Sequence, residues 1–360
     1  MRFEDGDSAY LYKTYGSSAG GDTSTWTFSV WLKIADVSAQ KVIWSGSAAG
    51  AGYATNLFYI QLRGDSQSNR LDITWRQNSS TTRGMSTNRA FRDPSAWMHI
   101  VLACDTTQAT ASNRLRLYIN GTEETSFSTD NRSTISQSSA LPINANSYDH
   151  AIGRSSYSAS AYFDGYMAEI NFVDGSQLAP TSFGETKAGI WIPKDYTGSH
   201  GTTGFYLPFD DSSALGDDES ANTNDWTSSG LAATDVVLDS PTNNWATMNP
   251  LNGDGGTTWK EGALELSTAN MGNNASTFLM ESGKWYWEAI GTYPGYVGAV
   301  CAFDRGTYNN TISISGSDSI GYYSTGDVYW GTGSNSTPAT YGATDIIGVA
   351  VNMDDGEISF

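Results

Sequence analysis

Alternation of apolar and polar residues at every second position runs through this chain, and helical periodicity is almost absent. A side chain that switches faces at each residue is the mark of a strand with one hidden face. In "WTFSVWLKIA", Trp26, Phe28, Val30, Leu32 and Ile34 fall on one face, while Thr27, Ser29, Trp31 and Lys33 fall on the other. "NRLRLYING" repeats the pattern, with Leu115, Leu117 and Ile119 opposed to Arg114, Arg116 and Tyr118. It ends at Asn120-Gly121, a pair that tolerates the positive φ of a tight hairpin. Further strands are expected at 57–62, 70–75, 97–103, 151–153 and 166–173. Short strands separated by Gly, Ser and Asn turns define an all-β fold of antiparallel sandwiches.

A length of 360 residues suits two domains. The pattern breaks after Phe209, where "DDSSALGDDESANTNDWTSSG" (210–230) is acidic, small and polar. It reads as a solvated junction rather than a calcium loop, because the Asp-Gly spacing of an EF-hand is missing. Strands then resume in "GALELS" (262–267), "STFLM" (276–280), "KWYWEAIG" (284–291), "YVGAVCAF" (296–303), "SIGYY" (319–323), "DVYWG" (327–331), "DIIGVAVNM" (345–353) and "GEISF" (356–360). The expected organisation is a sandwich over 1–190, a junction over 191–240 and a second sandwich over 241–360.

Charge narrows the partners. With 38 acidic against 19 basic side chains the net charge is −19, so neither nucleic acid nor an anionic membrane surface is the expected target. Cys104 and Cys301 each sit in an apolar strand-like run and read as buried free thiols, giving no disulfide framework. The opening "MRFEDGDSAYLY" has no basic-then-apolar leader, and no apolar run approaches the length of a membrane helix. Synthesis in a cytoplasm is the expectation, with no membrane insertion.

Four segments stand in the order of a known family: "WTFSVWLKI" (26–34), "DPSAWMHIVLACDTT" (93–107), "RLRLYINGTEE" (114–124) and "AIGRSSYSASAYFDGYMAEINFVDG" (151–175). Together they resemble the laminin-G-like branch of the concanavalin A-like lectin/glucanase fold, a jelly-roll sandwich. "SGKWYWEAI" (282–290) and "TDIIGVAVNMDDGEISF" (344–360) resemble strands of a SPRY domain. A SPRY domain continues past such a hairpin, so the resemblance implies a sandwich incomplete at Phe360, either a fragment or one completed by a neighbour. "GYMAEINFVDGSQLAPTSFGET" (165–186), "GIWIPKDYTGSHGTTGFYLPF" (189–209) and "LDSPTNNWATMNPL" (238–251) resemble connecting segments in virion proteins of tailed, often marine, phages. That resemblance implies a tail-fibre-like adhesin on the virion surface. Its implied partners are other virion proteins, further copies of itself (a homo-oligomer, a trimer being the expected form) and a host-surface glycan or protein.

No catalytic constellation stands out. On the strand 166–173, strict alternation puts Tyr166, Ala168, Ile170 and Phe172 on one face and Met167, Glu169, Asn171 and Val173 on the other. The sandwich glucanases that this fold resembles carry Glu-x-Asp-x-Glu on such a strand. Here one carboxylate occupies the corresponding positions, and glycoside hydrolysis needs two, about 5–9 Å apart. Asp174 falls on the opposite face. "GSSAG" (16–20) matches a nucleophile-elbow spacing without the strand-turn-helix setting that motif requires. His99, His150 and His200 show no metal-ligand spacing, and "GDGG" (253–256) has no phosphate-binding lysine. No cofactor or metal is expected, a structural calcium ion being left open without a motif to support it. For ligand contact the candidates are the outward or loop aromatics Tyr53, Trp75, Tyr157, Tyr162, Tyr293, Tyr296, Tyr308 and Trp330, since sugars stack on aromatic rings. The expected function is non-catalytic host-surface binding. Its alternatives are a purely structural capsid-decoration, sheath or fibre-shaft subunit and, least favoured, a glycan depolymerase.

Overall fold

The computed structural model describes residues 1–360 apart from 17–19, 51–53, 65–68, 254–256, 269–273, 291–295, 301–318, 331–332 and 337–338. Among the described residues the regular elements are β-strands and single 3-10 turns, with no α-helix, so the fold is all-β. Two compact units form, one from Met1–Pro250 with Trp259–Glu265, the other from Leu251–Thr258 with Leu266–Phe360.

The first unit is a sandwich of two antiparallel sheets, its strands numbered in chain order. One sheet runs β1 (Arg2–Phe3), β13 (Gly165–Asp174), β3 (Thr25–Ile34), β8 (Met98–Asp105), β9 (Leu115–Ile119), β10 (Thr122–Glu123), with β16 (Phe205–Leu207) also paired to β13. The other runs β11 (Phe127–Asp130), β7 (Arg83–Ala90), β6 (Arg70–Arg76), β5 (Leu57–Leu62), β4 (Lys41–Ala48), β12 (Tyr148–Ile152), β2 (Tyr10–Thr14), β17 (Thr227–Ser229). Their inner faces meet as the alternation requires. Trp26, Phe28, Val30, Leu32 and Ile34 of β3 lie in one core with Trp44, Phe58 and Ile60 of the facing sheet. The Trp44 and Phe28 rings stack 4.6 Å apart, and Trp26 meets Trp44 edge-on at 5.9 Å. The Asn120-Gly121 turn has φ of 48° and 78°, both left-handed as the dipeptide predicted, and closes the β9–β10 hairpin at Ile119 and Thr122.

Strand β13 departs from the expected alternation. Its register with β3 slips between Ala168, opposite Trp31, and Asn171, opposite Ser29, so two residues of β13 face one of β3. Glu169 there takes φ of +53°, which makes this a β-bulge. Ahead of the bulge Met167 points into the core while Tyr166 and Ala168 point out; beyond it Ile170 and Phe172 point in and Val173 out. The single-face assignment of Tyr166, Ala168, Ile170 and Phe172 is therefore incorrect. A bulge inverts the phase of every later residue, and nothing in the apolar pattern announces it.

The outer face of the sheet containing β3 is covered as well. Leu178, Phe183, Tyr196 and Val237 pack on it, as does Trp191 from the hairpin of β14 (Gly184–Lys187) and β15 (Ile190–Pro193). Lys33, 1% exposed, places its ammonium among Asp239 Oδ2 at 2.8 Å, Asn244 Oδ1 at 2.8 Å and the Trp245 carbonyl at 2.6 Å. Three acceptors for three N–H groups satisfy this buried charge, although desolvation still lowers its pKa. The stretch 191–240 thus adds strands β16 and β17 to the first sandwich and does not span a gap. Its acidic run is organised on Asp218, whose carboxylate accepts the amides of Tyr206, Ser220 and Asn224. Trp226 from the same run is buried against Phe205.

In the second unit, Lys284–Ile290, Ile346–Asn352 and Glu357–Ser359 form one antiparallel sheet, and Tyr296–Val300, Ser319–Tyr323, Asp327–Trp330 and Gly333–Ser336 another. Ile347, Val349 and Val351 pack with Tyr322 and Tyr341 in a small core. The strand expected at 276–280 is not formed: the strand there is Asn274–Ser276.

Candidate functional site

Register places one row of residues side by side across the eight-stranded sheet: Tyr12, Ala151, Ser45, Tyr59 and Thr74. Their chain neighbours Leu11, Ile152, Trp44, Phe58 and Ile73 are in the core, so this row faces outward. Loop 153–161 lies over it. Ser45 Oγ donates to the Arg154 carbonyl at 2.8 Å, and Ser156 Oγ to Ser47 Oγ at 2.9 Å. Those bonds hold the Tyr157 ring stacked on Tyr59, centroids 5.8 Å apart. On β2, three strands from β5 in the sheet, the Tyr10 ring centroid lies 3.7 Å from the Arg154 guanidinium, and Tyr10 also contacts Tyr12 and Tyr162. Tyr12 and Tyr157 are 41% and 44% exposed. Beneath Tyr157, the Tyr59 hydroxyl is buried and has no hydrogen-bond partner among the described residues. Flat rings flanked by hydroxyls and a guanidinium can stack on the C–H face of a sugar while hydrogen-bonding its hydroxyls.

Tyr157 and Tyr162, read from the sequence as candidates, belong to this face. Trp75 does not: it is 2% exposed and in the core, because β6 turns Leu71, Ile73 and Trp75 inward together. Tyr53, Tyr293 and Tyr308 lie outside the described residues. Tyr296 and Trp330 stand in strands Tyr296–Val300 and Asp327–Trp330 of the second unit, the described part being their backbone. Tyr10, Tyr12, Tyr59 and Arg154 escaped the sequence reading. The first two could have been found, since they flank buried Leu11 at a spacing of two; Tyr59 is hidden in the uniformly apolar-looking "LFYIQL".

The carboxylates that drew attention are engaged elsewhere. Tyr206 donates its hydroxyl to Glu169 Oε2 at 2.6 Å, and burial raises the Glu169 pKa. Asp174 accepts from the amides of Asp22 and Thr202 and from Asn144 Nδ2, tying loops together at the end of the sandwich. His99 is fixed in one tautomer: its Nδ1 accepts from Trp191 Nε1 at 3.0 Å, so Nε2 carries the proton and donates to Ser29 Oγ at 2.8 Å. An imidazole that donates to a serine cannot also take its proton, and burial pushes the His99 pKa down to about 3. His150, also held down to about 3 by burial, accepts the Asn144 amide, and His200 meets Asn171 Oδ1. Cys104 is a buried free thiol with its pKa raised by desolvation, while Cys301 lies outside the described residues. The central residues 17–19 of "GSSAG" and 254–256 of "GDGG" lie there too. A separate acidic group, Glu4, Asp5 and Asp164, comes together at the edge where β1 meets β13, and burial pushes Asp164 up to about 8. Its members are too distant in sequence to be read as a motif.

Two packed antiparallel sheets with a polar, tyrosine-lined outer face define a lectin-like jelly-roll domain. Residues 5–180 match the model of the concanavalin A-like lectin/glucanases superfamily, so this stretch carries that domain. The expected laminin-G-like, all-β assignment holds for this part of the chain. A search of the curated proteins found no match. Among solved structures, a pentraxin of Limulus polyphemus is 13% identical over 49% of this chain and 72% of its own, with a TM-score of 0.34. The NanB sialidase of Streptococcus pneumoniae is 16% identical over 46% of this chain and 26% of its own, at 0.33. The CBM40 of a Ruminococcus gnavus sialidase is 13% identical over 48% of this chain and 95% of its own, also at 0.33.

Proposed function

We propose that the chain is a tail-fibre-like adhesin of a phage virion, whose jelly-roll domain holds a host-surface glycan without cutting it. The observation that carries the glycan reading is the exposed Tyr157 ring stacked on Tyr59, on the same sheet face as Tyr12 and the Arg154–Tyr10 pair. The non-catalytic reading rests on Glu169, Asp174 and His99 each being committed to structural hydrogen bonds. Phage origin rests on the sequence resemblance, as does the SPRY-like nature of the second unit. The pairing of Lys284–Ile290 with Ile346–Asn352 supports the latter.

A glycan array on the purified chain, followed by calorimetry on the best ligand, tests the proposal. Tyr157→Ala removes an exposed ring and should weaken binding roughly 2- to 12-fold, the equivalent of one aromatic contact of about 0.5–1.5 kcal/mol, with unfolding unchanged. Unaltered affinity would move the site off this face, and release of reducing sugar lost on Glu169→Gln would replace binding with hydrolysis. One observation favours a packing subunit as the second reading. The sheet of the second unit exposes Tyr286, Ile290 and Ile346 at 64–65%, with Ile290 opposite Ile346. Immunogold labelling of intact particles separates fibre tips from a repeating lattice.

A further inference from the structure

Lys33 lies on the covered face of β3, and one turn delivers two further reactive side chains to it. Ser240 and Asn243 bond to each other through both backbone amides, at 3.2 and 3.0 Å, with Pro241 setting the bend between them. The closed turn brings its flanking residues, Asp239 and Asn244, to the same amine. Asp239 Oδ2 and Asn244 Oδ1 each lie 2.8 Å from Lys33 Nζ. Both groups are also aimed from their other ends. Asp239 Oδ1 accepts from Trp97 Nε1 at 2.8 Å, and Asn244 Nδ2 donates to the Ser95 carbonyl at 2.7 Å. Trp31, Trp97 and Tyr166 pack together on this face, the Tyr166 ring centroid 5.8 Å from Nζ. Amine, carboxamide and carboxylate thus meet among aromatic rings, at a lysine side chain closed to water.

Neutralising the lysine needs the carboxylate alone, whereas a carboxamide held at the same nitrogen also supplies an electrophilic carbon. The length of a C=O bond puts Asn244 Cγ no more than about 4 Å from Nζ. A small turn of the exposed Asn244 side chain closes the rest, and a held pair of groups reacts without the cost of an encounter. Burial lowers the Lys33 pKa, which favours the neutral amine that can attack. We propose that Lys33 and Asn244 join in an isopeptide bond, with Asp239 moving the protons, so that the turn is covalently tied to β3.

Asp239 Oδ2 first takes a proton from the Lys33 ammonium along their hydrogen bond. The freed lone pair attacks Asn244 Cγ, forming the new C–N bond and moving the carbonyl electrons onto Oδ1. Asp239 then protonates Asn244 Nδ2 and takes a second proton from Nζ. The carbonyl re-forms, the Cγ–Nδ2 bond breaks, and ammonia leaves by the exposed side of Asn244. Of the three protons first on Nζ, one stays on the new amide, one departs with ammonia and one ends on Asp239. No further reactant is consumed. The ion pair is the state from which the bond forms, and the reaction is independent of what the domain binds.

The purified full chain, aged at neutral pH, is weighed intact by mass spectrometry and then mapped with trypsin. It should be lighter than its sequence by one ammonia, resist cleavage after Lys33 and yield a branched peptide joining Lys33 to Asn244. Asn244→Ala, at an exposed position, should keep the wild-type fluorescence spectrum and the full mass of its sequence. Asp239→Asn retains both reacting groups and should form the Lys33–Asn244 peptide at least about a hundredfold more slowly. A wild type of full mass that is cut after Lys33 has an ordinary ion pair only, and the proposal fails. It fails equally if ammonia is lost while Lys33 stays free, which is ring closure at an asparagine, or if Asn244→Ala loses ammonia as the wild type does. An undiminished rate in Asp239→Asn would remove the aspartate from the chemistry and overturn the mechanism.

Discussion

His99 should make the first sandwich sensitive to mild acid, and the size of the effect follows from its surroundings. The ring is fully buried, stacked on Trp31 at 4.7 Å and bonded through both nitrogens. Burial holds its pKa at about 3 when folded, against 6.5 for an ordinary histidine. Between those values the unfolded chain takes up a proton that the folded one refuses. Stability is therefore fully present above pH 6.5 and is lost as the pH falls toward 3. At pH 5 the window has been entered by about 1.5 units, a loss of about 2 kcal/mol at 1.36 kcal/mol per unit. For a unit of this size that is about 4–8 °C in midpoint. The wild-type profile alone would mix this with His150, which titrates in the same direction, and with raised carboxyls such as Glu169, which act oppositely. Those contributions cancel in the difference between the wild type and His99→Gln. The assay is thermal and urea unfolding of both proteins at pH 7 and pH 5, followed by tryptophan fluorescence. At pH 7 the variant should be the less stable of the two, and at pH 5 the gap should have narrowed by about 2 kcal/mol. A gap constant to within about 0.5 kcal/mol would mean that His99 takes up its proton alike in the folded and unfolded chain, and the lowering of its pKa by burial would be refuted.

Trp44→Ala should remove about 3–5 kcal/mol, since the ring contacts Phe28, Trp26, Phe58 and Phe172 at the centre of the core; urea unfolding measures it. Lys33→Met should destabilise by about 3–5 kcal/mol by leaving Asp239 buried without its cation, and adding Asp239→Asn should recover part of that loss. At Gly204 a Cβ would stand 1.8 Å from the His200 carbonyl oxygen and 2.6 Å from that of Phe172, both backbone. Gly204→Ala should therefore lower stability by at least about 2 kcal/mol, read from the unfolding midpoint.

Much of the first sandwich could be read from the chain because its strands obey the simplest rule of a sheet. β3 and β9 place their apolar sets in the core as their alternation states, and Asn120-Gly121 turns where the dipeptide requires. Three features escaped, each for a physical reason. The bulge at Glu169 leaves the composition of β13 unchanged while altering its phase. The run around Asp218 looks like a solvated linker because its backbone is held by carboxylate bonds, which have no apolar signature. The tyrosine face was half legible: Tyr157 and Tyr162 stand in a polar loop, whereas Tyr59 was lost among apolar neighbours and Trp75 was placed outward although its strand turns it in.

The bulge in β13 has an evolutionary and an engineering side. It works like a half-step in a staircase, so the treads before and after it cannot be matched without inserting one residue. A relative lacking that residue would align with this chain on one side of Glu169 only, its inward positions corresponding to outward ones on the other. Deleting Glu169 would demand that either Met167 or the pair Ile170 and Phe172 leave the core. The length of this strand is thus held by geometry, even where individual residues along it are free to change.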